Sequence, residues 1–192
     1  MATFKVVVHN KSASIQNYMF FNAPPEQVFG SKLYSNVWVT KTDVDTPNGT
    51  ATLTVQEKMF AVCGTAPSPL AEGVTVSSSD YAEVQLTQGS TGGTIAAAEA
   101  ANANIFVGHG KDDGTGNIVP VATWVPSSLS DYTVQPQVVF YIATGDYQQG
   151  TCVDVTGHGP VGKVDFAQAK PGQLTADITQ YADNSWGEPV FS

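Results

Sequence analysis

The chain contains no arginine; its eight basic residues are all lysines, set against seventeen carboxylates. Phosphate backbones and anionic lipid surfaces are gripped by clustered lysine and arginine, and paired, planar recognition of phosphate belongs to arginine. A net charge of −9 therefore argues against nucleic acid and anionic membrane surfaces as partners. Charged residues make up only 13% of the chain while 42% are hydrophobic, which fits neither a disordered polymer nor a charge-laced helical bundle. No apolar run approaches the roughly 18 residues of a helical span, so no transmembrane segment is expected. The first fourteen residues offer only Val6-Val7-Val8 as an apolar stretch. They have neither the basic start nor the longer apolar region of a secretory signal. The expectation is a cytoplasmic protein, or a secreted one if the chain begins after processing.

Cysteine is scarce as well. Cys63 and Cys152 leave a disulfide open, though two reduced thiols acting as small hydrophobes is the simpler reading. His-Glu-x-x-His, Cys-x-x-Cys and Gly-x-Ser-x-Gly are all missing, which removes a recognisable zinc motif and a hydrolase elbow.

Against these absences stands a strong β pattern. In residues 50–56, Ala51, Leu53 and Val55 alternate with Thr50, Thr52, Thr54 and Gln56, the mark of a strand with one dry and one wet face. Val37 and Val39 alternate with Asn36, Trp38 and Thr40, and Pro47-Asn48-Gly49 lies between the two segments. Pro presets a turn and Asn-Gly supplies positive φ, so the two strands are expected to form an antiparallel hairpin. Eighteen glycines and eleven prolines punctuate further short strands along the whole length. Residues 94–104 are alanine-rich and read either as a helix or as a tightly packed strand. The expected fold is all-β: a single-domain antiparallel β-sandwich over residues 1–192, with a closed β-barrel as alternative and at most one short helix.

The first third has a recognisable layout. A leading strand precedes His9-Asn10-Lys11-Ser12, and an aromatic strand ends at Pro24-Pro25. Asn36-Val37-Trp38-Val39, a Thr-rich strand and Met59-Phe60-Ala61-Val62 follow. Over residues 4–75 this resembles small β-rich bacterial and fungal proteins related to the rhizosphere-expressed protein RhiA of nodulating bacteria. The resemblance implies a β-rich fold and transfers no chemistry, so no residue takes a role from it.

Candidate chemistry comes from residue types. His109 and His158 each sit in Gly-His-Gly. Glycines admit close approach of a ligand, and imidazole is a metal ligand and a base near neutral pH; exposed turn histidines are the alternative. Asp112, Asp113 and Asn117, within a loop expected over residues 109–117, offer the hard oxygens calcium prefers, although the ladder of an EF-hand is missing. Solvated turns read equally well there. Asp146, Asp154 and Asp165 are carboxylates available to line a pocket. Tyrosines 18, 34, 132, 141 and 147 and tryptophans 38, 124 and 186 exceed the needs of one small core. Trp38 falls on the polar side of its strand, beside Asn36, where it either stacks on a neutral ligand or is covered by a second sheet and belongs to the core.

Two functions of different class follow. The first is a non-catalytic, lectin-like binding module for a neutral small molecule or glycan, carbohydrate foremost, using Trp38, Asn36, Trp124 and Tyr147, with no cofactor other than a possible calcium ion. The second is a cofactor-independent enzyme acting on a small apolar molecule in an aromatic-lined pocket, with His109 or His158 moving a proton. A self-assembling structural protein, a homo-oligomer joined through sheet edges, is a further alternative.

Overall fold

The computed structural model describes residues 2–24, 32–84, 93–97, 104–127, 130–134, 137–155 and 159–192. His158, and parts of the strands expected around residues 82–87 and 134–144, lie outside them. In chain order the strands are β1 (Thr3–Asn10), β2 (Gln16–Asn22), β3 (Leu33–Asn36), β4 (Val39–Val44), β5 (Thr50–Gln56), β6 (Phe60–Thr65), β7 (Asp80–Glu83) and β8 (Gly93–Ala97). They continue with β9 (Ile105–Asp112), β10 (Ile118–Trp124), β11 (Ser130–Val134), β12 (Val139–Thr144), β13 (Cys152–Val153), β14 (Gly162–Asp165), β15 (Thr175–Gln180) and β16 (Val190–Phe191). No helix reaches seven residues among those described. Residues 93–97 of the alanine-rich stretch form strand; most of the remainder is not described.

The strands form sheet I (β16-β15-β1-β5), sheet II (β14-β12-β2-β4), sheet III (β13-β3-β10-β9-β6-β7) and a ribbon of β11 and β8. The sheets pack against one another and none closes into a barrel, so the all-β sandwich is the observed class. Pairing is antiparallel except between β1 and β15, which run parallel from Lys5 opposite Thr175 to Asn10 opposite Gln180.

Alternation explains the layering. Phe4, Val6 and Val8 of β1 and Ala51, Leu53 and Val55 of β5 point inward from sheet I, while their neighbours face water. Tyr18 and Phe20 of β2 meet them from sheet II. Met19 and Phe21 point the other way, against Val37 and Val153, so β2 is buried on both faces. Each such side chain removed from water contributes about 1.5–3 kcal/mol. Tyr18 keeps its hydroxyl satisfied by donating to Gln180 Oε1 at 2.8 Å, and burial pushes its pKa up to about 12.

The expected hairpin is not formed. β4 pairs with β2 in sheet II and β5 pairs with β1 in sheet I, so the intervening turn carries the chain from one sheet to the other. Alternation reports which face of a strand is dry; it does not name the neighbour that takes its hydrogen bonds. Neither Asn48 nor Gly49 has positive φ. Gly49 is required instead because a Cβ there would overlap the Asp45 backbone.

Of the two readings of Trp38, the structure has the core one. It has no exposed surface, stacks on Phe140 with centroids 6.1 Å apart, and donates from Nε1 to the Asp112 carbonyl at 3.2 Å. Residues 37 and 38 lie between β3 of sheet III and β4 of sheet II, so the strand expected over residues 36–40 is split between two sheets. Trp38→Ala is expected to cost about 3–5 kcal/mol of stability through cavity formation, measured by urea denaturation; a loss below about 1 kcal/mol would contradict this core role.

Candidate functional site

Sheets II and III diverge beside β13, leaving an open groove of about 650 Å³. Tyr34 and Ser35 enter from β3, Tyr141 from β12, and Asp154 from the chain just after β13, while Glu72 comes from the loop between β6 and β7. Alternation places them there. Tyr141 lies on the face of β12 opposite Phe140 and Ile142, so those two fill the core and Tyr141 is left half-buried at the groove. Tyr34 is likewise half-buried, with the Lys32 ammonium 4.8 Å from its ring centre. The groove thus joins two aromatic rings, one hydroxyl and two carboxyls.

None of the four ligand-binding residues expected from sequence lines the groove. Trp38, Asn36 and Trp124 are fully buried and cannot touch a surface ligand. Asn36 donates from Nδ2 to the Gly150 carbonyl at 3.0 Å and accepts from Thr123 Oγ1 at 2.9 Å. Trp124 packs edge-on to Tyr132 with centroids 5.3 Å apart. Tyr147 is 40% exposed, but it is not among the described residues lining the groove. Of the acidic candidates, Asp154 alone lines it. Asp165 instead caps a one-turn 3-10 helix at Phe166–Gln168, accepting from the Ala167 N–H at 3.0 Å.

Strand β9 runs through His109 to Asp112, so the first half of the expected loop is sheet. Gly108 and Gly110 flank His109 for packing: a Cβ at Gly110 would lie 2.5 Å from Val62 Cγ1, and one at Gly108 would overlap the Ala122 carbonyl. They admit neighbouring strands, not a ligand. His109 is fully buried and, among the described residues, neither ring nitrogen has a hydrogen-bond partner. Burial, reinforced by the Lys111 charge, holds its pKa well below the ordinary imidazole value. His109 is not among the described residues lining the groove.

The acidic loop folds on itself. Asp112 Oδ1 accepts from the N–H groups of Gly114 and Gly116 at 2.7 and 3.1 Å, and Asp113 Oδ1 accepts from Thr115 N–H and Oγ1 at 2.9 and 2.6 Å. Asn117 donates to Thr115 Oγ1 at 2.9 Å. Burial works to raise the Asp113 carboxyl, yet the hydrogen bonds from Thr115, Gln149 and Asn117 together outweigh it and hold it low. These oxygens are occupied in shaping the turn. Among the described residues, no group of three or more His, Cys, Asp or Glu side chains is placed to hold a metal ion. Both thiols are free, Cys152 buried and Cys63 exposed.

Tyr34 and Tyr141 carry little signal in the sequence, because a half-buried tyrosine and a core tyrosine look alike in an alternating strand. Their convergence depends on which strands meet, and that is long-range information.

Burial of His109 has a measurable consequence. Below the unfolded pKa of about 6.5 the unfolded chain takes up a proton that the folded chain refuses, so stability falls as pH falls. The limit for one group is about 1.4 kcal/mol per pH unit. His109→Leu is expected to flatten the dependence between pH 6.5 and 5, followed by urea denaturation at several pH values, while His9 and His158 remain in both proteins. Equal slopes would refute the effect. No family model, curated protein or solved structure matches this chain, so no relative lends any of these residues a role.

Proposed function

We propose that this protein is a non-catalytic binding module for a neutral ligand, carbohydrate foremost, held in the groove lined by Tyr34 and Tyr141. The observation that carries the reading is the meeting of two half-buried tyrosines from different sheets with Ser35, Glu72 and Asp154 in one open groove. Sugars present apolar C–H faces and a rim of hydroxyls. Aromatic rings take the first by stacking, and carboxylates and hydroxyls take the second by hydrogen bonding. The groove's volume falls in the ~300–1,000 Å³ range usual for small-molecule sites. Scarce charge and the absence of arginine support an uncharged ligand.

The test is a glycan-array screen, run with calcium and again with chelator. Reproducible binding that weakens at least ~10-fold in Tyr141→Leu, a loss of about 1.4 kcal/mol, supports the groove. That substitution removes the ring and retains apolar filling. A blank array, or full binding by Tyr141→Leu, rejects this reading; loss on chelation alone would add a metal to it.

A further inference from the structure

On the buried face of sheet III, near the end of β9, lies the Lys111 amine. Lys111 is 5% exposed, and its Nζ makes neither an ion pair nor a hydrogen bond among the described residues; it stands 5.9 Å from the Trp38 ring centre. Burying an unpaired ammonium costs several kcal/mol, and the group responds by giving up its proton more readily. Burial pushes the Lys111 pKa down to about 8, against an upward pull from Glu57.

The amine lines a small cavity with Phe4, Met59, Val138, Phe140 and Glu57. The cavity measures about 40 Å³. One water needs roughly 10–15 Å³ on that scale, so there is room for about three heavy atoms. Its character selects the occupant. Glu57 repels an anion, and Lys58, the other amine at the cavity, is engaged by Glu83 at 3.2 Å. His109 lies two residues away on the same face and is held neutral by its burial. A short neutral electrophile facing a desolvated amine is the combination that remains.

We propose that Lys111 is a covalent acceptor for short aliphatic aldehydes, which occupy this cavity as an imine. The amine lone pair attacks the carbonyl carbon, and a proton passes from nitrogen to oxygen to give a carbinolamine. The hydroxyl then leaves as water with a proton from solvent as the C=N bond forms, and the proton remaining on nitrogen returns to solvent to leave the neutral imine. One water is released and nothing is oxidised or reduced. This site is separate from the groove and stands or falls independently of it.

The folded protein is treated at pH 7 with propanal and cyanoborohydride, which reduces the imine to a stable N-propyl amine, and digested for mass spectrometry. A pKa near 8 leaves on the order of 100-fold more free amine at pH 7 than an ordinary lysine has. Lys111 is therefore expected to be alkylated at least ~10-fold faster than exposed Lys5 and Lys170, since a less basic amine is also somewhat less nucleophilic. Val138→Phe, which fills the cavity from its half-buried wall, is expected to abolish the fast labelling and spare the exposed lysines. Labelling of Lys111 no faster than Lys170, or only after unfolding in urea, would overturn the proposal. So would a fast phase, beyond that of the chain's α-amine, that persists in whole-protein mass spectra of Lys111→Arg.

Discussion

Burial of β2 on both faces is the constraint on which the remaining architecture depends. A strand reading Tyr18-Met19-Phe20-Phe21 has no wet side, so one sheet must cover Tyr18 and Phe20 and another must cover Met19 and Phe21. All three large sheets meet in this core, since Val119 and Val121 of β10 join Tyr18 and Phe20 against the inward residues of sheet I. Trp38 is drawn into the core by the same demand. Its backbone N–H donates to the Phe20 carbonyl, which brings the indole onto Phe140 and under Lys111. The groove also originates here, because Tyr141 pairs with Phe21 across the sheet and emerges on the outer side of the layer.

Buried polar groups fall into two sets. Asn10, Asn36, Ser12, Tyr18 and Gln180 are woven into hydrogen bonds that hold turns and join sheets. Asn10 alone ties Ser12, Ser14 and Val44 together. Interior polar groups are almost always satisfied in this way, because an orphaned one costs about 1–3 kcal/mol. Among the described residues His109, the Trp124 indole N–H and Asn22 Oδ1 are exceptions, and the Lys111 ammonium makes no ion pair. Asn22 lies on β2, whereas the other three lie on one face of sheet III. Ala122 faces His109 and Val107 faces Trp124 in the register of β9 and β10, so His109 and Trp124 are diagonal neighbours.

The class of the fold was legible because alternation is local. β1, β5 and β15 show it cleanly, and the structure agrees strand by strand. Partnership was not legible. The run from Val39 to Gln56 looked like a hairpin, since two alternating segments around Pro-Asn-Gly carry the same signal whether they pair or diverge. Trp38 is open to both a wet and a core reading for a related reason: polar neighbours in sequence do not say whether another sheet lies over them. Glycine misled at Gly108 and Gly110, where the missing Cβ makes space for Val62 and the Ala122 carbonyl. The groove was the least visible feature, being assembled from β3, β12 and the segment after β13. Asp154 was recognisable only as one carboxylate among several.

The parallel pairing of β1 with β15 bears on how the protein is made. β1 leaves the ribosome well before β15, and one of its two edges stays unpaired until residues beyond Thr175 have been synthesised. Closing a loop of that length must precede the gain from the contact it permits, and topologies built on such contacts fold slowly. Throughout translation a strand carrying three consecutive valines presents an open edge, the kind of template that recruits other chains. Lys5, Lys11 and the polar Ser12-Ala13-Ser14 turn border that strand and interrupt its apolar run. Nascent chains are thus a distinct hazard for this protein, one that ends only when the C-terminal strand arrives to close the sheet.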